Sequence, residues 1–370
     1  MSPIKNHRTR ARVVLTAAIV GNLFALPLAS QSATYSFTDL NPSGVTFSES
    51  VGVSGSQEIG DGYGSATGGG NYHAFIWSGT AGSVVDLNPS GFTQSFGKGI
   101  SGSHQVGNGY GSATGGNFHA LLWSGTASSK VDLNPNGFTF SQANGISGSQ
   151  QIGFGFGPGF GGNHALLWSG TASSKVDLNP SGFTQSVGTG ISGGQQVGQG
   201  SGPVTANLLH ALLWTGTASS MVDLNPSGFT VSSAFGTSGS QQVGYGNDGN
   251  NNHAFLWSGT AGSGVDLNPS GFTASQAYGI SGSQEVGSGD GHALLWFGTA
   301  SSVVDLQSFL SSDYTNSEAD GIDASGNIVG LATYIPTGET HAILWTVVPE
   351  PGVVALLALG VVAMLARRRI

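Results

Sequence analysis

Apolar positions in this chain follow a pattern that returns seven times. His-Ala-x-x-Trp occurs at His73, His119, His164, His210, His253, His292 and His341, with Trp77, Trp123, Trp168, Trp214, Trp257, Trp296 and Trp345 four residues later. These are all the tryptophans in the protein. An Asp-Leu pair recurs at Asp39, Asp86, Asp132, Asp177, Asp223, Asp266 and Asp305, and the spacing of the repeat runs from 39 to 49 residues. Such a period is the signature of a propeller or a solenoid. Residues 187–224 show the unit. They predict short strands over 187–192, 195–198, 210–214 and 221–224, separated by Gly193-Gly194, by a longer loop and by a turn over 215–220.

Four antiparallel strands in about 45 residues make one propeller blade. In the third strand, alternation puts His, Leu or Phe, and Trp on one face and Ala with Leu or Ile on the other. Neither face is polar, so the sheet should be sandwiched between neighbours. The alanine held in all seven copies lets a neighbour's bulky side chains approach. The seventh unit stops at Trp345 without a fourth strand, and the missing Asp-Leu strand stands at the other end, over 35–40. The expectation is an all-β, seven-bladed β-propeller closed by its N-terminal strand, with 35–40 beside 341–345 and both sheet edges removed. A linear β-solenoid is the alternative.

Composition narrows the partners. Between Asp39 and Glu339 stand eighteen carboxylates against only Lys98, Lys130 and Lys175, a net charge of −15 for this body. Nucleic acid and anionic lipid are therefore poor partners. Cysteine is absent, so stability must come from packing.

The two ends read differently from the body. Lys5, Arg8, Arg10 and Arg12 precede an apolar stretch over 13–29, and Ala29, Ser30, Ser32 and Ala33 offer cleavage points. That order is a secretory signal peptide over 1–33, which implies signal peptidase and the export machinery. At the other end, Val348, Pro349, Glu350 and Pro351 lead into an apolar run over 352–366 that closes on Arg367, Arg368 and Arg369. Fifteen helical residues span about 22 Å, short of a bilayer core of about 30 Å. Such a span suits transient insertion, with the arginines on the cytoplasmic side.

The order Pro-Glu-Pro, apolar helix, basic cluster closely resembles the PEP-CTERM sorting signal of Gram-negative bacteria. The resemblance implies processing by an exosortase, transient inner-membrane insertion of a tail over 347–370, and display at the cell surface or in the extracellular matrix, often with polysaccharide. Residues 322–330 (Ile-Asp-Ala-Ser-Gly-Asn-Ile-Val-Gly) and 341–345 (His-Ala-Ile-Leu-Trp) resemble the HAF-type extracellular repeat, which covers 35–345 and implies export without naming an activity.

Seven histidines and seven aspartates invite a metal or catalytic reading. A ligand or general base is unique in its site, whereas these occur once per repeat, as packing and hydrogen-bonding elements do. No short ligand spacing serves zinc, and the carboxylate-bearing turns match no calcium loop. No phosphate-binding loop or nucleophile elbow is present, so neither metal nor cofactor is expected. The Asn-Pro-Ser-Gly segments suit type I turns that begin at Asn.

Length varies between the second and third strands. Those loops bring Tyr63, Tyr110, Phe154, Phe156, Phe160, Tyr245 and Tyr334 to one rim, where aromatics amid Asn and Gly suit sugar stacking. Asp313, Glu318, Asp320 and Asp323 form the only local acidic cluster. These features point to a non-enzymatic exported interaction module for polysaccharide. The alternatives are a glycan-active enzyme with its site at the propeller mouth and a purely structural envelope component.

Overall fold

The computed structural model describes residues 34–349. The expected leader over 1–33 and the apolar span over 352–366 lie outside them. Among the described residues no helix is long and apolar enough to cross a membrane.

A lone strand, β1 (Tyr35–Asp39), precedes the first unit of β2 (Phe47–Ser54), β3 (Gln57–Tyr63), β4 (His73–Trp77) and β5 (Val85–Asp86). The same four strands recur as β6–β9 within 94–132, β10–β13 within 140–177, β14–β17 within 185–223, β18–β21 within 231–266 and β22–β25 within 275–305. The last unit has three, β26 (Tyr314–Ile322), β27 (Ile328–Tyr334) and β28 (Glu339–Val347). The third strand begins at its histidine in most repeats, as the pattern predicts. The second is longer than predicted, β15 reaching Ser201, because its glycines continue the ladder.

Five units form separate four-stranded antiparallel sheets. The first and last share an eight-stranded sheet, joined only by the parallel pair Phe47↔Thr340. Within it β1 lies antiparallel to β28, with Phe37 opposite Trp345 and Asp39 opposite Ile343. Leu40 donates its N–H to the Ala342 carbonyl at 2.9 Å, as Leu87 does to Ala74 and Leu133 to Ala120 at 2.8 Å. In hydrogen bonding β1 therefore stands where other units have their own fourth strand.

Packing runs between consecutive repeats. All seven tryptophans and the alanines of His-Ala-x-x-Trp are fully buried. One core cluster joins Ile59, Ala74, Ile76 and Leu87 to Leu121 and Trp123 of the next unit. Another joins Leu40, Phe75 and Trp77 to Val329, Ala342 and Leu344 of the last. The seven indole N–H groups have no hydrogen-bond acceptor among the described residues. The second strand carries a glycine that no other residue can replace: a Cβ on Gly60 would lie 1.9 Å from the Glu49 carbonyl oxygen, and Gly153 meets the Gln142 oxygen at the same distance.

The Asn-Pro turn entering each of the first six units is shifted by one residue from expectation. Val45 donates to the Pro42 carbonyl at 3.1 Å, and Gly44 takes φ +80° at the third position. Asn41 instead caps the turn from outside, its Nδ2 reaching the Val45 carbonyl at 3.0 Å. A left-handed glycine fixes the register of the bend, and the asparagine side chain is freed for that bond.

Candidate functional site

Each repeat histidine donates its Nδ1–H to the aspartate of the fourth strand at 2.7–2.8 Å. For His341 that aspartate is Asp39 of β1, which also accepts from the Tyr314 hydroxyl at 2.7 Å. The aspartate's other oxygen caps the following turn, as Asp132 accepts from Asn134 N–H at 2.8 Å. Both side chains are thus occupied in holding the outer strand. Among the described residues no cluster of three His, Cys, Asp or Glu is placed to hold a metal ion.

The first strand of every unit carries an irregularity absent from the sequence pattern. The register jumps between Ser50 and Gly52, and at the equivalent place in each copy, so one residue bulges from the ladder. The bulged residues are Val51, Lys98, Asn144, Thr189, Phe235, Tyr278 and Asp320, different in every repeat. A bulge re-aims a side chain and is frequent beside binding sites. The glycines that follow, from Gly52 to Gly321, line one narrow cavity of about 170 Å³ together with Lys98 and Asn144. First strands of all the repeats therefore converge on a common axis.

Around this axis lies a charged group that crosses repeats. Lys98 Nζ sits 3.4 Å from both Glu49 Oε1 and Asp61 Oδ2. Asp61 is 1 % exposed, and burial pushes its carboxyl up to about 7 despite the ammonium beside it. Burial alone would lower the Lys98 pKa, but the charges of Asp61 and Glu49 raise it. Asp320 is held well above the usual carboxylate range by burial and then by the neighbouring Glu318, and its Oδ2 has no partner. Glu318 is raised by burial too, against hydrogen bonds that include Ser288 Oγ at 3.3 Å. Of the acidic cluster expected from sequence, Glu318 and Asp320 come together here. Asp323 is instead committed to the N–H groups of Gly55, Ser325 and Asn327, and Asp313 is exposed.

The aromatic residues divide into several groups. A continuous row runs Tyr63, Tyr72, Phe96, Phe118, Phe140, Phe154, with successive ring centroids 4.8, 5.1, 6.0, 6.1 and 5.5 Å apart. Phe47 stacks on Tyr63 and Tyr110 packs edge-on to Phe118. All are half-buried, at the end of the units where second strands finish and first strands begin. The row therefore crosses three consecutive repeats and includes Tyr63, Tyr110 and Phe154 of the expected rim. Phe156 is 41 % exposed. Phe160 packs on Phe138 and His164, and Tyr334 on Tyr314 and His341. Tyr245 meets Phe235, which in turn meets Tyr278. Phe47, Phe96 and Phe140 escape the sequence reading because they lie on first strands outside the variable loops, and Tyr72 and Phe118 stand at the very ends of those loops without having been singled out. An aromatic immediately before the third-strand histidine, at Tyr72 and Phe118, was the available signal.

Residues 347–369 match the PEP-CTERM protein-sorting motif. That signal indicates a protein exported, sorted by an exosortase and directed through the membrane to the cell surface. Among solved structures the chain is similar to the β-propeller domain of the trilobed protease from Pyrococcus furiosus, with a TM-score of 0.52 at 11% identity over 81% of this chain and 94% of that one. A puromycin hydrolase S511A mutant aligns with a TM-score of 0.51 at 11% identity, over 81% of this chain and 53% of that one. An acylaminoacyl peptidase aligns with a TM-score of 0.50 at 12% identity, over 81% and 51%. The chain thus spans about half the length of these two enzymes. No curated protein matches the sequence.

At such identities the likeness establishes the propeller fold of repeated four-stranded sheets. It also corrects the expectation of a non-enzyme: the neighbours are the propeller domain of a protease, a puromycin hydrolase and an acylaminoacyl peptidase, so this architecture gives that expectation no support, and it is withdrawn.

Proposed function

We propose that residues 34–346 form a seven-bladed propeller, closed by β1 against β28, that binds a polysaccharide at the surface of a Gram-negative cell. In this reading residues 1–33 are a leader. Residues 347–370 are the sorting tail, whose span over 352–366 enters the inner membrane transiently, and Pro349, Glu350, Pro351 and Arg367 to Arg369 are what the exosortase recognises. The HAF-type resemblance of the repeats fits the same extracellular setting. The convergence of all the first strands on one cavity and the β1 hydrogen bonds support the closed ring.

The observation that carries the ligand is the aromatic row. Six half-buried rings follow one another across three repeats at steps comparable to the length of a sugar ring, four of them on strands and two, Tyr72 and Phe118, just before a third strand. Pyranose faces stack on such rings, while the Asn and Gly backbone around them supplies hydrogen bonds. The test is affinity electrophoresis of the exported protein in gels containing the host's own extracellular polysaccharide. Tyr72→Ala and Phe118→Ala should each abolish most of the retardation, and Phe160→Ala, off the row, should leave it. Equal retardation of all three variants would contradict the assignment. The same gels read out cleavage as released reducing ends, because Glu318 and Asp320 form a pair of carboxyls with raised proton affinity at the inner mouth.

A further inference from the structure

Charge selects among the polysaccharides that the row could bind. An anionic glycan needs free cations, and the body has only three lysines. Lys98 is held by Glu49 and Asp61, while Lys130 and Lys175 lie 5.6 and 5.5 Å over the rings of Phe92 and Phe138, outside the row. The row instead adjoins more carboxyls than the single Lys98 ammonium can balance. Lys98 Nζ stands 5.6 Å over the Phe96 ring, which places Glu49 and Asp61 beside the middle of the row. Beyond them, no lysine or arginine among the described residues forms a salt bridge with Glu318 or Asp320, and Asp320 Oδ2 is buried without a hydrogen-bond partner. The 5 % exposed Asn108, opposite Phe96 in the ladder, likewise has an unpartnered Oδ1. Unfilled acceptors beside stacking rings are complementary to a ligand that brings N–H donors and positive charge.

We propose that the ligand is an amine-bearing polysaccharide, a polymer of hexosamine with free amino groups. Its rings stack on the aromatic row and its ammonium groups face Glu49, Glu318 and Asp320. This rests on the polysaccharide reading of the same site and narrows it to one chemical class. The titratable groups facing the ammonium are Glu49, Asp61, Lys98, Tyr278, Glu318 and Asp320. Binding at mildly acid pH should release a proton from the Glu318 and Asp320 pair, since an ammonium replaces it there.

The experiment is titration calorimetry of the exported protein with three oligomers of equal length: a glucosamine hexamer, its fully N-acetylated counterpart and a galacturonate hexamer. The glucosamine hexamer should bind about tenfold more tightly than the N-acetylated one, with galacturonate weakest, and raised salt should shrink the difference. Glu318→Gln and, separately, Glu49→Gln should each reduce the preference for the amine, lowering affinity for the glucosamine hexamer more than for the N-acetylated one. Galacturonate binding as well as glucosamine, or an N-acetylated hexamer equal to it, would overturn the amine assignment and leave polysaccharide binding intact. Absence of binding by all three would instead sink the reading of the row itself.

Discussion

Glu285 offers a test of how the repeats tolerate buried charge. In four repeats the second strand carries a glutamine, and Gln105, Gln151, Gln196 and Gln242 each accept a glycine N–H at 2.7–2.8 Å through Oε1. Gln151, Gln196 and Gln242 also donate from Nε2 to the carbonyl two residues back, at 2.9 Å. Glu285 accepts from Gly298 N–H at 2.7 Å in the same way, but its Oε1 is buried without a partner. Burial pushes this carboxyl from 4.5 up to about 7, against the Gly298 hydrogen bond that favours its ionised form.

A raised carboxyl contributes full stability below its unfolded value and loses it as pH climbs to the folded value, beyond which the penalty is constant. At 1.36 kcal/mol per pKa unit the penalty reaches about 3 kcal/mol, or about 2 after allowance for screening. Glu285→Gln removes the charge and gives the Ser283 carbonyl a donor. The variant should therefore match the parent near about pH 4 and exceed it by about 2 kcal/mol near about pH 8 in urea denaturation followed by tryptophan fluorescence. A stability difference that does not change with pH, or a variant weaker than the parent at the alkaline end, would refute the reasoning.

Two further predictions probe the fold. Ser36 Oγ and Thr346 Oγ1 are 2.9 Å apart across the β1 and β28 pair, and the protein has no cysteine. The Ser36→Cys, Thr346→Cys double variant should therefore form one disulfide in air, seen as a mass loss of two hydrogens and a raised melting temperature on oxidation; thiols that stay free would show that the two strands do not pair. Gly153→Ala should destabilise by about 3 kcal/mol, because its Cβ would fall 1.9 Å from the Gln142 oxygen, whereas Gly148→Ala, in a turn with open space around it, should cost about 1 through its positive φ alone. Equal melting temperatures for the two would contradict the close-approach argument.

Repetition made the fold legible. Seven copies of His-Ala-x-x-Trp fixed the third strand, and the orphan Asp-Leu at Asp39 pointed to the partner of β28 because every other copy had its own. The site was harder to read for the converse reason. The bulge at Lys98 and Asp320 has no sequence signature beyond a glycine one residue later, and its occupant changes in every repeat. Tyr72 and Phe96 are separated by 24 positions in sequence and stack only because adjacent sheets face one another. Asp61 lies near the end of β3, opposite Glu49, where burial and Lys98 govern its charge in a way its position beside a variable loop does not announce.

Hydrogen exchange on the exported protein, with and without the host polysaccharide, tests the central claim most directly. The account predicts slowed exchange over 63–72, 110–118 and 140–156, along the aromatic row, and no change in the Ser-Gly-Thr-Ala turns at 78–81, 124–127 and 169–172. Protection confined to those turns, or spread evenly over all the repeats, would contradict it.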